Sequence, residues 1–271
     1  MDLPTLHALN ALLGNDSHCA AIEWALSGGE IVFEEATTFA IGGAAAALAL
    51  GGSAIEPWRT CHASSGDSLS IGAPENGRFV YIAVAGGIDT AVTMRSRSTY
   101  LPGEFGGMNG RRLRNGDVLS TGDHSKRRRH QVSDPLPVEL RPPFEIGVVR
   151  FIPRVEADLS REWKISGASD RTGYRLESKV KAAGDSITSE PVAPGVIQLP
   201  PGGDPIVLMA DAPTIGGYRI AGAVISADLG VLAQRIPGAE VVLDKTSVEF
   251  AQRELERLSE RLADVREWSL G

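Results

Sequence analysis

A short apolar run ends in two glycines at Phe79-Val80-Tyr81-Ile82-Ala83-Val84-Ala85-Gly86-Gly87. Such a run, bounded by turn residues, is typical of a buried strand. Comparable runs occur at residues 31–33, 146–152 and 206–209, and turns containing Gly, Pro, Asn and Asp separate them. Many short strands divided by turns predict a mostly-β protein whose antiparallel strands close into a barrel or a sandwich.

Helical spacing of apolar residues is found near both ends of the chain. It consists of Leu6, Leu9, Leu12 and Leu13 at the start, and of Ala251, Leu255, Leu258, Leu262 and Val265 at the finish. Charged and amide side chains occupy the other faces of the segment 246–268, so its apolar stripe is narrow. Such a helix packs along its own domain or offers a coiled-coil-like surface to a partner, and both interpretations stay open.

A basic and proline-rich segment divides the chain near its middle. Between Ser120 and Pro143 the apolar pattern lapses, and Lys126-Arg127-Arg128-Arg129-His130 is followed by several prolines. Prolines at this density disfavour regular ladders and favour extended chain. A length of 271 residues also allows two domains. We predict a first β domain over 1–120, a linker over 121–144, a second β domain over 145–245 and a C-terminal helix over 246–271.

Composition limits the classes of function. The formal net charge of -7 and the pI near 5.3 disfavour an extended surface for nucleic acid or anionic membrane. We interpret the basic run at 126–130 as a solvated loop, with contact to RNA or to a nucleotide phosphate as the alternative. No stretch reaches the about 18 apolar residues of a membrane span. Two distant cysteines form no CxxC pair, which fits a reducing cytoplasm and indicates neither a disulfide framework nor a zinc site.

Several familiar catalytic signatures are absent from the sequence. It contains no GxxxxGK[ST] phosphate loop, no HExxH and no GxSxG nucleophile elbow. Its five histidines are scattered without the spacing of metal ligands. The glycines near residue 106 lack the βαβ pattern that a dinucleotide fingerprint requires. We therefore expect no metal site.

Three blocks, 86–107, 169–176 and 210–218, combine glycine, cation, hydroxyl and aromatic residues. An arginine binds a carboxylate or phosphate through two parallel hydrogen bonds, and tyrosine hydroxyls and glycine N–H groups add donors for an oxyanion. Asp211 can orient an arginine or act as a base. The candidates on this argument are Arg95, Arg97, Tyr100, Arg171, Tyr174, Asp211, Gly216 and Gly217. The alternative is that the arginines pair with Asp89, Asp170 and Asp211 to hold strand ends, and that the glycines serve turns.

A family resemblance favours the functional interpretation. The chain resembles the C subunit of 5-oxoprolinase, also called allophanate hydrolase subunit 2 or the biotin-dependent carboxyltransferase family, over nearly its whole length. The matching stretches are residues 83–89 (AVAGGID), 96–101 (SRSTYL), 169–176 (SDRTGYRL), 194–203 (PGVIQLPPGG), 216–218 (GGY) and 224–229 (VISADL). The resemblance implies two tandem cyclophilin-like β-barrel domains with a few helices, including the C-terminal one.

The resemblance also implies partners and a reaction. Members act with two further subunits, which we call the A-type and the B-type protein, in a hetero-oligomer that hydrolyses 5-oxoproline to glutamate and consumes ATP. Related domains are the carboxyltransferase part of urea carboxylase, and others regulate by binding a B-type inhibitor of a kinase. We expect the 5-oxoprolinase role first, with a biotin-dependent carboxyltransferase and a non-enzymatic regulator as alternatives.

For the 5-oxoprolinase role the candidate catalytic residues are Arg97, Arg171, Tyr174 and Asp211. The candidate substrate-binding residues are Ser98, Tyr100, Gln198, Thr214, Gly216, Gly217 and Tyr218, and all of them except Thr214 lie in the matching stretches. The expected substrate is a small anionic molecule or cyclic amide. ATP is expected to be used by the whole complex.

The sequence departs from the family pattern at three places. Members usually carry a further segment, with an opening strand and a Gly-rich stretch, before the point that matches Met1-Asp2. We therefore expect the first barrel of this chain to lack its N-terminal strand. Arg95 stands where a glycine is common, and Arg219 where a proline usually follows Gly-Gly-Tyr.

Overall fold

The computed structural model describes residues 1–123, 134–142, 147–177 and 186–270. The chain divides into two compact units. The first unit comprises Leu3–Pro142 and Glu260–Gly271, and the second, which we call the barrel unit, comprises Met1–Asp2 and Pro143–Ser259. The basic run at 126–130 and half of the predicted linker at 121–144 lie outside the described residues, which omit 124–133 and 143–146.

The first unit contains one complete α-helix and ten short strands among its described residues. They are α1 (Leu3–Leu12), β1 (Ile22–Ala25), β2 (Gly29–Val32), β3 (Thr37–Ala45), β4 (Leu48–Leu50), β5 (Ser53–Ala54), β6 (Thr60–Ala63), β7 (Ser68–Ile71), β8 (Asn76–Val84), β9 (Thr99–Tyr100) and β10 (Phe105–Gly106). Two four-stranded antiparallel sheets form, in the orders β1-β8-β3-β6 and β2-β7-β4-β5. Strands β9 and β10 pair only with each other.

The core of the first unit lies around β3 and β8. Strand β8 runs between β1 and β3, and its residues from Arg78 to Val84 are all buried, which explains its continuous apolar sequence. Leu9 and Leu12 of α1 are fully buried as well. The helical spacing near the start of the chain therefore marks the face that α1 buries.

The barrel unit contains the remaining strands. They are β11 (Val148–Pro153), β12 (Glu162–Ile165), β13 (Gly173–Glu177), β14 (Ser186–Pro191), β15 (Val196–Leu199), β16 (Ile206–Leu208), β17 (Ile215–Val224) and β18 (Glu240–Lys245), with the short helix α2 (Leu229–Ala233) between β17 and β18. Seven strands follow one another in the order β11-β18-β12-β13-β16-β15-β17, and pairing of β11 with β17 closes the ring. Strand β14 pairs with β17 outside the ring.

The interior of the barrel is filled by alternating residues of its strands. Strand β13 shows the pattern clearly, because Tyr174 and Leu176 are fully buried while Arg175 is exposed. Trp163 of β12 and Phe151 of β11 are among the largest buried side chains. These side chains belong to one contiguous apolar cluster.

The third helix, α3 (Val248–Leu270), ends the described chain. In the barrel unit, Arg150 donates to both carboxylate oxygens of Asp228, at 2.8 and 2.5 Å, and to Glu254 of α3 at 3.0 Å. In the first unit, the Ser269 hydroxyl donates to the Ala11 carbonyl at 3.1 Å. The predicted mostly-β fold with a C-terminal helix is confirmed, and no helix among the described residues is both long and apolar enough to cross a membrane.

Candidate functional site

The exit from β8 is held by a buried amide. Gly86 has a φ of 85°, and a Cβ there would lie 2.2 Å from the Gly122 carbonyl oxygen, so both backbone angle and space require glycine. Its N–H donates to the Asn15 side-chain oxygen at 2.9 Å, and the Asn15 amide donates to the Val84 carbonyl at 2.8 Å. The chain after β8 therefore leaves the sheet in a fixed direction.

Arg97 braces the loop that follows. Its guanidinium pairs with Asp89 at 2.7 Å and donates to the Thr90 carbonyl. The Thr90 hydroxyl donates back to the Arg97 carbonyl at 3.0 Å. The side chain of Arg97 remains 38% exposed, so this brace lies at the surface. The alternative in which arginines hold strand ends predicts an arginine pair at Asp89, as it also does at Asp211.

The tip of the same loop is a tight turn with an unusual backbone. Thr93 and Ser96 exchange two backbone hydrogen bonds of 2.8 and 2.9 Å, while Met94 and Arg95 between them have φ values of 50° and 66°. Two successive positive φ angles are typical of a type I′ turn, which favours Asn and Gly. Met94 is 84% exposed.

Ser98 and Tyr100 follow this loop in the first unit. Ser98 is exposed, and the half-buried Tyr100 ring contacts the Phe105 ring at a centroid distance of 5.2 Å. The pairing of β9 with β10 brings these rings together. Tyr100 thus has a packing partner, and it remains partly open to solvent.

In the barrel unit, Arg171 and Asp211 form a two-point ion pair. Arg171 donates from Nε and Nη2 to the two Asp211 carboxylate oxygens at 2.9 and 3.0 Å. The Asp211 side chain is 7% exposed and the Arg171 side chain 25% exposed. The carboxylate therefore lies behind the guanidinium, in the arrangement that orients an arginine toward solvent.

Backbone hydrogen bonds hold the two loops that carry this pair. The Asp211 N–H donates to the Arg171 carbonyl at 2.8 Å, and the Met209 N–H donates to the Thr172 carbonyl at 3.0 Å. Asp170 caps the turn before β13, since its Oδ1 accepts from the Thr172 N–H at 2.8 Å. In the alternative interpretation, Asp170 pairs with an arginine to hold a strand end. In the structure, the Asp170 carboxylate caps this turn.

Tyr174 lies in the core of the barrel. Its side chain is fully buried, and its hydroxyl donates to the Ala233 carbonyl at 2.7 Å. The alternation of β13 turns this residue inward, because it shares a face with Leu176. In the structure this side chain therefore packs in the barrel core, and its catalytic role stays a prediction that burial does not favour.

A buried glutamine approaches a glycine in the same unit. Gln198 of β15 is 5% exposed, and within the described residues its Nε2 has no hydrogen-bond partner. A Cβ at Gly216 would lie 2.2 Å from that Nε2. Tyr218 and Thr214 are exposed nearby along the chain, and the Thr214 carbonyl accepts from the Val192 N–H at 3.0 Å.

The sequence-predicted residues thus divide between the two units. Arg97, Ser98 and Tyr100 belong to the first unit. The barrel unit holds Arg171, Tyr174, Gln198, Asp211, Thr214, Gly216, Gly217 and Tyr218. Within it, the structure brings Arg171 to Asp211 and Gln198 to Gly216.

Asp228 has a role that sequence reasoning did not assign. It is 2% exposed and binds Arg150, whose pKa is raised chiefly by this hydrogen bond. Asp228 lies in the family motif at 224–229. The motif could have drawn attention to this residue, but it does not indicate that the side chain binds Arg150. Among the described residues, no cluster of three or more His, Cys, Asp or Glu side chains could hold a metal ion.

The chain matches the family described as "Carboxyltransferase domain, subdomain A and B" over residues 1–245, and it belongs to that family. It is similar to the 5-oxoprolinase C subunit of Escherichia coli (strain K12), with 34% identity covering 97% of this chain and 89% of that protein. The urea amidolyase of Lachancea kluyveri is 30% identical over 93% of this chain, which spans 16% of that protein. The predicted family is confirmed.

A solved structure agrees with the fold. The urea carboxylase of Kluyveromyces lactis superposes with a TM-score of 0.88 and 24% identity, covering 99% of this chain and 26% of that chain. At this identity the likeness concerns the fold alone. The chain is therefore a homologue of the 5-oxoprolinase C subunit, and it shares its fold with a domain-sized part of a much longer urea carboxylase.

Proposed function

We propose that this chain is the C subunit of an ATP-dependent 5-oxoprolinase. It acts with a B-type and an A-type protein to open 5-oxoproline to glutamate. The observation that carries the proposal is the 34% identity to the Escherichia coli protein over 97% of this chain. ATP is consumed by the assembled complex, and no ATP site is assigned to this chain.

The chemistry of Arg171 fits this reaction. Opening a cyclic amide moves negative charge onto the carbonyl oxygen, and donors that are already oriented toward that oxygen stabilise the transition state. Asp211 holds Arg171 through two hydrogen bonds of 2.9 and 3.0 Å, so the guanidinium is oriented before substrate binds. We assign Arg171 as the donor to the oxyanion and Asp211 as its positioning residue.

The first unit contributes a second set of polar groups. Arg97 and Tyr100 are both partly exposed, and Ser98 between them is exposed. A planar guanidinium beside hydroxyl groups suits the carboxylate of a small anionic substrate. We assign this set to binding.

Replacement of Arg171 by Ala tests the proposal. The complex with the two partner proteins should lose glutamate release by about 10²- to 10³-fold, which is the usual effect of removing one oxyanion donor. The matched control is Arg154→Ala, which removes another arginine of the barrel unit that pairs at the surface with Glu190 at 2.8 Å. Assembly of the complex should be intact in both variants. Wild-type rates in the Arg171→Ala complex contradict the assignment of Arg171.

A carboxyltransferase role is the second candidate, because the family is a carboxyltransferase family and the Lachancea kluyveri urea amidolyase is 30% identical. It requires a biotin carrier and a biotin carboxylase from other proteins. Urea-dependent ATP consumption by a set reconstituted with those proteins, without glutamate release from 5-oxoproline, is the result that favours this candidate. Tight binding to a B-type protein with neither activity favours a regulator.

A further inference from the structure

We propose that Asn15 is a positioning residue for substrate binding, which acts through the loop that carries Arg97. Its buried amide fixes the direction in which the chain leaves β8, and this direction determines where the Arg97 guanidinium points. The inference rests on the proposed function and deepens it, since it names a residue that controls binding without touching the substrate.

The first observation is that the Asn15 amide holds two backbone groups at the end of β8. Asn15 is 2% exposed. Its Oδ1 accepts from the Gly86 N–H at 2.9 Å, and its Nδ2 donates to the Val84 carbonyl at 2.8 Å. A side-chain amide has both an acceptor and donors, so it can hold both groups at once. The backbone on either side of Ala85 is therefore fixed by one side chain.

The second observation is that another buried amide supports Asn15. Asn10 is fully buried, and its Oδ1 accepts from the Asn15 amide at 3.0 Å. The Asn10 amide donates in turn to the carbonyls of Ser17 and Cys19, at 3.1 and 2.9 Å. Buried hydrogen bonds that share partners in this way stabilise one arrangement of the whole network. The network joins the end of α1, the segment before β1 and the end of β8.

The third observation is that the segment before β1 also touches the turn that follows β8. The Ile88 N–H donates to the Ala20 carbonyl at 2.9 Å, and the Gly122 N–H donates to the Gly87 carbonyl at 2.9 Å. A Cβ at Gly87 would lie only 2.8 Å from the Cys19 Cβ. The turn is thus closely packed, so a shift of the segment before β1 displaces the turn as well.

The fourth observation links the turn to Arg97. Asp89 follows the turn directly, and its N–H donates to the Ser120 carbonyl at 2.8 Å. Its carboxylate pairs with Arg97 at 2.7 Å, and the Arg97 guanidinium also donates to the Thr90 carbonyl. The two residues that orient Arg97 are therefore the first two after the turn.

The ion pair alone would not keep Arg97 in one orientation. The side chains of Arg97 and Asp89 are 38% and 51% exposed, and exposed ion pairs contribute little. The backbone that carries Asp89 therefore determines the orientation, and Asn15 fixes that backbone. Without the Asn15 amide, the guanidinium would take several orientations, and binding of the substrate carboxylate would include the cost of selecting one of them.

The test measures KM and kcat for 5-oxoproline in the complex with the A-type and B-type proteins. Asn15→Leu keeps the size of the side chain and removes its hydrogen bonds. It should raise KM about tenfold, the equivalent of one hydrogen bond to a charged group, while kcat changes little. Asn76→Leu is the matched control with the wild-type KM, because Asn76 is exposed at the opposite end of β8. An unchanged KM in Asn15→Leu overturns the proposal.

A double-mutant cycle shows whether Asn15 acts through Arg97. Arg97→Ala should by itself raise KM about tenfold. Adding Asn15→Leu should then change KM by less than about twofold, because the guanidinium that Asn15 orients is already gone. A further tenfold rise in the double variant makes the two effects independent and overturns the proposal. A wild-type KM in Arg97→Ala overturns it as well, since Arg97 would then bind no substrate.

A second variant covers the case in which Asn15→Leu does not fold. Asn15→Ser keeps a hydroxyl that can donate or accept, so it should fold and raise KM about threefold. Circular dichroism at the assay temperature gives the folded fraction, and KM is compared between folded proteins. A folded Asn15→Ser protein with a lower melting temperature and the wild-type KM shows a structural role alone and overturns the proposal.

Direct binding separates this inference from the proposed reaction. We would measure binding of 5-oxoproline to the complex by calorimetry. If the wild-type complex binds 5-oxoproline without releasing glutamate, and Asn15→Leu weakens binding only when Arg97 is present, the proposed reaction fails and the positioning role stands. If the wild type releases glutamate and Asn15→Leu binds equally well, the positioning role alone fails. A wild type that neither binds nor turns over 5-oxoproline overturns both.

Discussion

At the scale of single residues, the arginines of this chain differ in what holds them. Arg171 is oriented by a carboxylate that is 7% exposed, whereas Arg97 and its partner Asp89 have side chains that are 38% and 51% exposed. Exposed pairs are screened by water and contribute little to stability. The barrel-unit pair is therefore the better preorganised of the two, and this is why we assign it to the reacting oxygen.

Asp117 provides a pH-dependent prediction at this scale. Two hydrogen bonds from Arg111, at 2.7 Å each, together with one from the Arg114 N–H, lower the pKa of Asp117 from 3.8 to about 2. Because the folded pKa lies below the unfolded value, this carboxylate stabilises the fold above pH 3.8. That stability should be lost as the pH falls from about 3.8 to about 2.

Urea unfolding between pH 2 and 5 of the wild type and of Asp117→Asn measures this effect. The variant should be less stable near pH 5 and should approach the wild type as the pH falls. Glu75→Gln, an exposed carboxyl for comparison, should leave the wild-type pH profile in place. Parallel profiles for the wild type and Asp117→Asn would show that Asp117 does not stabilise the fold through its charge.

Tyr174 shows what sequence chemistry alone overlooks. The motif at 169–176 looks suited to binding, and the hydroxyl of Tyr174 makes it a reasonable candidate donor. The alternation within Gly173-Tyr174-Arg175-Leu176 puts the tyrosine on the same face as a leucine, and that face is buried. The alternation of the strand thus predicts the burial of Tyr174, which its residue chemistry alone does not.

At the scale of elements, the apolar runs located strands well. The run at 79–84 lies within β8, and the runs at 146–152 and 206–209 correspond to β11 (Val148–Pro153) and β16 (Ile206–Leu208). The C-terminal helix predicted over 246–271 is α3, Val248–Leu270. Continuous apolar sequence identifies these elements because each is buried along most of its length or on one face.

The pairing of strands was beyond the reach of the sequence. The barrel closes where β11 pairs with β17, and β11 also pairs in parallel with β18, far away along the chain. Local patterns contain no information about such distant partners, because register depends on packing inside the closed barrel. That Nε2 of Gln198 lacks a hydrogen-bond partner within the described part of the chain could not be predicted either, because it depends on which atoms surround it.

The turn at the tip of the 89–97 loop gives a prediction about stability. Arg95 has a φ of 66°, and a residue with a Cβ pays about 1–2 kcal/mol in this region. Arg95→Gly should therefore raise the free energy of unfolding, by about 0.5–1 kcal/mol after the entropy of the unfolded glycine is subtracted.

Urea unfolding checks this prediction, and Arg112→Gly is its control because Arg112 is exposed and has no positive φ. The control should be neutral or destabilised. If Arg95→Gly is also destabilised, the strain assigned to the turn is absent.

At the scale of the whole molecule, each end of the chain belongs to the unit that is formed mainly by the opposite half of the sequence. Met1 and Asp2 belong to the barrel unit, where Gln234 donates to Asp2 at 2.9 Å. The residues from Glu260 onward belong to the first unit, and there Ser269 contacts the last turn of α1. A division into consecutive domains, as predicted at 1–120 and 145–245, does not describe these terminal contacts.

The family assignment concerns the whole chain as well. The match over residues 1–245 includes both β-rich halves, so neither unit alone represents the family. Candidate residues also occur in both units, with Arg97 in one and Arg171 in the other. We therefore expect function to require the entire chain, and variants should be studied in the full-length protein.

Glutamate formation by the reconstituted complex tests the central claim most directly. The A-type and B-type proteins would be incubated with 5-oxoproline, with and without ATP, and with and without this chain. We predict that glutamate forms only when ATP and all three proteins are present. An intact three-protein complex that forms no glutamate, or equal glutamate without this chain, would contradict its role as the C subunit of a 5-oxoprolinase.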